Sequence, residues 1–147
     1  MACVVSADTE CTDRPECWPE GSSMHTGLLL VEQQKAIEQQ LLKKHNELVA
    51  LVLSSSLSVD QRLVHALKTQ QEAWLKYRSE ECELIGSLTD AGGTWPSTYA
   101  NRCEVNLTDQ RLRQVQSAIR CVDRANAENR VYEQYNCLRQ LAPLANQ

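Results

Sequence analysis

Seven cysteines, Cys3, Cys11, Cys17, Cys82, Cys103, Cys121 and Cys137, limit this chain of 147 residues more than any other feature. No two are spaced as Cys-x-x-Cys, and His25, His45 and His65 do not stand at zinc-ligand spacing from them, so neither a metal site nor a cofactor is expected. Seven thiols in one small domain point instead to an oxidising compartment rather than the cytosol. The odd number leaves one cysteine over, to be free, intermolecular or modified. The run "GLLLVE" is too short to span a bilayer and too far from a basic start to be a signal peptide. An exported chain as written is therefore a mature or trimmed form with a start Met added. Cys3, directly after Ala2, would then be the residue left at a lipoprotein cleavage point, and a lipid there is the one membrane contact expected.

The remainder is written in helical periods. Leu, Gln, Glu and Ala abound, Gly is scarce and Phe is absent, which is the composition of a helical protein. Residues 1–23 are rich in Pro, Gly, Ser and Cys and read as an irregular arm, with Cys11 and Cys17 placed to close a small loop that Trp18 anchors. Residues 24–147 read as a single helical domain. Its first helix runs from Met24 to about Leu53, with Leu30, Ile37, Leu41, Leu48, Leu51 and Val52 along one face. "SSSLSVDQ" interrupts it, and Ser58 with Gln61 forms a capping-box pattern for a second helix over Val59 to Ile85. That helix carries Leu63, Val64, Leu67, Trp74, Leu75, Cys82 and Ile85 on one side, with Gln71 and Arg78 among them. "GSLTDAGGTWP" then gives an eleven-residue loop from Gly86 to Pro96. A third helix starts near Ser97 or Thr98 with a stripe of Tyr99, Cys103, Asn106 or Leu107, Leu112, Val115, Ile119 and Val122. "DRANAEN" bends it, and Val131, Tyr132, Tyr135 and Leu138 carry a last helix. The expected fold is all-α, a small helical bundle.

Cys82 lies one turn from the end of helix two and Cys103 about two turns into helix three. In an antiparallel hairpin those depths match, so a Cys82–Cys103 disulfide would staple it. Cys121 and Cys137 flank the expected bend and pair across it by the same reasoning, although six cysteines admit fifteen connectivities. Between the stapled helices lies a cluster that helix spacing brings together. Trp74 and Arg78 are four apart, Arg78 and Glu81 three apart, and Arg111 sits one turn from Thr108 on the facing helix. A guanidinium can stack on an indole and still form a fork with a carboxylate. Trp74, Arg78, Glu81, Thr108 and Arg111 are thus expected as a structural hub, with Arg111 neutralising Glu81 or Glu80.

Several functions are disfavoured by what is missing. Lys and Arg form no stripe, and a net charge of -4 gives nucleic acid no footing. Glu80, Glu81 and Glu83 sit together on one helix rather than across a cleft. There is no nucleophile elbow and no phosphate loop, so the chain is not read as an enzyme.

The segment "QQEAWLKYRSEEC", followed by Cys103 and "LTDQR", resembles the LprI-type lysozyme inhibitor family. Gln71, Trp74, Arg78 and Cys82 match its Gln-x-x-Trp-x-x-x-Arg-x-x-x-Cys helix. Gly92 and Gly93 match its loop, and Cys103, Thr108 and Arg111 its second helix, within a resemblance over about residues 36 to 120. The chain departs from the family at "EQQLLKKHNEL", where Leu42 and His45 replace an expected Asn and Tyr, and in its arm and C-terminal segment. The resemblance implies an envelope protein that blocks a lysozyme-like muramidase, or an immunity protein against an exported bacterial hydrolase. An envelope interaction module of the same fold with a non-hydrolase partner is the alternative. Inhibition needs an element that fills a carbohydrate cleft, and the loop is the candidate: Trp95 as apolar anchor, with Thr89, Asp90, Gly92, Gly93 and Thr94 around it.

Overall fold

The computed structural model of the protein describes residues 11–55, 61–125 and 130–143. The expected positions of Cys3, of the Ser58 cap and of most of the "DRANAEN" bend lie outside them. Within them the chain forms a 3-10 turn, Pro15–Cys17, then helices α1 (Ser23–Ser55), α2 (Gln61–Ser87), α3 (Trp95–Arg124) and α4 (Arg130–Leu138), and a closing 3-10 turn, Arg139–Leu141. Among the described residues there is no strand, and no helix is long and apolar enough to cross a membrane.

α3 is the axis of the bundle, packing against α1, α2, α4 and the closing turn. The core runs along it. Leu112, Val115, Ala118 and Val122 meet Leu41, Leu48 and Val52 of α1, Val64 and Leu67 of α2, and Cys137, Leu138 and Leu141 near the chain end. Two expected core residues are displaced. Tyr99 and Ile85 are exposed, and Thr98 and Gly86 are buried in their place. The reason is close helix approach at this end of the bundle. A Cβ on Gly27 would sit 3.0 Å from Thr98 Oγ1, and one on Gly86 would sit 2.7 Å from the Pro96 carbonyl oxygen. Only small residues let the backbones meet there, so the large side chains turn outward. On α4, Tyr132 and Tyr135 likewise face solvent, while Gln134, Cys137 and Leu138 are buried.

Disulfides join Cys11 to Cys17, Cys82 to Cys103 and Cys121 to Cys137, with Cα atoms 5.5, 5.4 and 5.5 Å apart. The first closes the arm, where the Trp18 indole donates to the Thr12 carbonyl at 3.2 Å and Pro15 is the buried residue. The second staples α2 to α3, and the third ties α4 to the C-terminal part of α3.

Candidate functional site

The connection between α2 and α3 is shorter than its sequence implies. Leu88 keeps a helical hydrogen bond to the Leu84 carbonyl at 3.0 Å, and Trp95 and Pro96 already belong to the first turn of α3. Proline is tolerated at that position because its missing N–H has no helical partner to lose. The loop proper is thus residues 88–94, not Gly86 to Pro96.

Its base is fixed on three sides. Gly86 packs on Pro96, and the Cys82–Cys103 disulfide lies one turn below. The Thr94 hydroxyl shares a hydrogen bond with the Ser23 hydroxyl, and Thr98 Oγ1 donates to the carbonyls of Ser23 at 2.9 Å and Thr94 at 3.1 Å. Thr94 is therefore a tether to α1. Thr89 is half-buried, and its hydroxyl accepts the Ala91 N–H. What the loop presents to solvent is Leu88, Asp90, Ala91, Gly92 and Gly93. Gly93 turns the chain with φ +67°, a conformation that disfavours any side chain. Trp95 stands beside the loop rather than in it, its ring centroid 6.2 Å from that of Tyr99, and the Arg102 guanidinium lies 5.9 Å over Tyr99.

Below this end lies the cluster of Trp74, Arg78, Thr108 and Arg111. Arg78 Nη1 donates to Glu38 Oε2 of α1 at 3.0 Å and to Thr108 Oγ1 at 3.0 Å, while the Thr108 hydroxyl donates to the Glu104 carbonyl at 2.6 Å. One guanidinium thereby joins three helices. Arg111, 1% exposed, donates from Nε to Gln71 Oε1 at 3.1 Å, from Nη1 to the Leu141 carbonyl at 2.7 Å, and from Nη2 to Gln70 Oε1. Trp74 lies between the two cations, 5.8 Å from Arg78 and 5.5 Å from Arg111. Burial pulls the Arg111 pKa down to about 10, so the group stays charged at neutral pH, held by neutral acceptors and an indole face.

The expected pairing of Glu81 with Arg78 or Arg111 does not form. Both guanidinium groups turn into the bundle, where Glu38, the glutamine amides and Leu141 occupy them, and Glu81 has no partner among the described residues. Spacing along one helix reveals local neighbours; it cannot show that α1 and the chain's last turn compete for the same cations. His45 is a further buried group that helical spacing leaves unassigned. Its ring lies in the α1 core, and burial, then the charge of Arg111, lowers its pKa below the ordinary 6.5, with the Leu67 backbone opposing. Among the described residues no group of three metal-ligating side chains occurs.

Comparison with known proteins places the chain in a family. Residues 28–115, well over half of the chain, match the family described as lysozyme inhibitor LprI. The chain belongs to the LprI family. The matched region of this LprI protein contains all of α2, the loop, the Cys82–Cys103 staple and both buried arginines. Two relatives extend the likeness. An uncharacterized protein of Rhizobium meliloti (strain 1021), R02472, is 26% identical over 76% of this chain and 83% of its own length. The uncharacterized protein YecT of Escherichia coli (strain K12) is 25% identical over 77% of each chain. No solved structure matches. α4, the closing turn and the Cys121–Cys137 bridge lie beyond the family match, yet the closing turn supplies the Leu141 carbonyl to Arg111.

Proposed function

We propose that this protein is an exported inhibitor of a lysozyme-like peptidoglycan hydrolase, acting by seating the 88–94 loop in the target's cleft. Membership of the lysozyme inhibitor family supports the target class. The observation that carries the choice of surface is the loop's anchoring. Its base is held by the Gly86–Pro96 contact, the Thr94–Ser23 hydrogen bond and a disulfide, while its tip stays open. A segment already ordered in its binding shape loses little entropy on association, which is how a short loop becomes an effective plug. Asp90 at the tip and Trp95 at its side are the polar and apolar contacts, and Gly92 and Gly93 let the backbone approach the cleft wall. The three disulfides favour a periplasmic or secreted location. An immunity protein that neutralises a muramidase delivered by a competing bacterium is the same activity with a narrower target.

The test is lysis of a peptidoglycan suspension by a panel of purified muramidases, with and without the protein. Inhibition by the wild type, weakened about tenfold by Asp90→Ala or Trp95→Ala at unchanged helicity, is the expected result. Lysis unaffected across the panel would remove the inhibitor reading. Inhibition that survives both substitutions would move the contact away from the loop.

A further inference from the structure

α2 carries one unbroken stripe in alternating steps of four and three residues, the spacing that faces a helix toward a packed neighbour. The chain covers half of it. Leu63, Leu67 and Gln70 line a groove with Tyr135, Leu138 and Leu141, Gln70 Nε2 donates to the Leu141 carbonyl at 2.9 Å, and Trp74 packs beneath Arg111. The same stripe continues as Tyr77, Glu81, Leu84 and Leu88 toward the loop, and there no described element lies over it. Tyr77 is 50% exposed, Leu84 53% and Leu88 70%. Tyr77 and Leu84 on a disulfide-stapled helix, with Leu88 in register just past its end, form a surface that water covers poorly.

Charge decides what fits it. Glu81 sits in the middle of the uncovered half without a partner among the described residues. From Ser79 to Asn101 the chain carries Glu80, Glu81, Glu83 and Asp90 and no Lys or Arg. A second copy laid on this stripe would bring the two sets of carboxylates together, which disfavours self-association. We propose that the uncovered half of α2 is a docking surface for the hydrolase partner, receiving an apolar ridge that carries a lysine or arginine opposite Glu81. The contact then runs from the loop tip through Leu88 and down α2 to Tyr77, which makes the interface longer than a plugged cleft alone.

This proposal rests on the inhibitor reading, and its test separates the two. Binding to a muramidase that the wild type inhibits is measured by calorimetry at low and high NaCl, for Tyr77→Ser/Leu84→Ser and for Glu81→Lys. Tyr77 and Leu84 are exposed and Glu81 is half-buried, and circular dichroism checks that helicity is retained in both variants. The expected result is a loss of affinity of about tenfold or more for each. Glu81→Gln should lose less and flatten the dependence on salt, an effect that removal of apolar contact alone would not produce. Wild-type affinity in the serine double variant, with Asp90→Ala still impaired, would confine the interface to the loop and overturn the proposal. Wild-type affinity in Glu81→Lys would overturn the cation opposite Glu81. A wild-type protein that binds no muramidase would remove the inhibitor reading and this surface with it. Dimerisation through Leu84, seen as a mass in solution that Leu84→Ser halves, would assign the stripe to a second copy and also overturn it.

Discussion

Arg111 on α3 donates from Nη1 to the main-chain carbonyl of Leu141 at 2.7 Å, so a buried cation in the middle of the bundle is bound by the turn that follows α4. That carbonyl also accepts Gln70 Nε2, and Gln71 takes the Arg111 Nε. The interior charge thus makes the docking of the closing turn part of the stability of α2 and α3.

Replacing Arg111 by Met removes the charge but strands the buried Gln71 side-chain oxygen and takes the Nη1 donor from the Leu141 carbonyl. The expected cost is about 3 kcal/mol. Urea unfolding should show a lower midpoint at an unchanged slope. A midpoint equal to the wild type would mean that the neutral acceptors find other partners.

His45 gives the stability a pH dependence whose sign is fixed. Burial and the nearby Arg111 charge hold its folded pKa below 6.5, and its Nε2 is buried with no hydrogen-bond partner among the described residues. The unfolded chain therefore takes up a proton that the folded one resists. This contribution is fully present above about pH 6.5 and is lost progressively as the pH falls below it. Paired unfolding curves of wild type and His45→Gln should converge or cross between neutral and mildly acidic pH. Parallel curves would remove His45 as the source.

Gly86 and Gly92 make an internal comparison. A Cβ at Gly86 would lie 2.7 Å from the Pro96 carbonyl oxygen, whereas one at Gly92 meets nothing within 4 Å. Alanine is favoured over glycine inside a helix by about 1 kcal/mol. A clash with main-chain oxygen outweighs that, so Gly86→Ala should destabilise by about 1 to 3 kcal/mol. Gly92→Ala should stay within about 0.5 kcal/mol. Equal melting temperatures for the two would show that α2 and α3 separate easily.

The Cys82–Cys103 bridge closes a separation of 21 residues that contains the whole loop. Cys82→Ser/Cys103→Ser should lose about 3 kcal/mol of stability. Inhibition should weaken more than the loss of folded protein explains, because the loop's base is released. Thermal melts read beside the lysis assay separate these effects.

The helices are legible in the sequence because apolar residues recur at helical spacing through Leu41, Leu48, Leu67, Leu112 and Val115, and burial at those positions follows from periodicity alone. Trp74, Arg78, Thr108 and Arg111 stand out because three of the four are polar or charged on an apolar face. Their partners do not stand out. Glu38 and Leu141 are 40 and 30 residues away from the arginines they bind, a distance that i, i+4 reasoning does not cover. Glu81 looks like the natural counter-charge only while α2 is considered alone. The loop's limits are misjudged for a similar reason: Pro96 reads as a stop signal, yet at the start of α3 it begins a helix. Tyr99 and Ile85 misread as core because two glycines, Gly27 and Gly86, change which faces can touch.

Among the described residues each of the three disulfides joins a cysteine to the next one along the chain, and none of the rings encloses another. Their formation needs no thread drawn through a closed loop and no fixed order among them. A molecule reduced and unfolded can therefore rebuild these cross-links by local encounters, one segment at a time.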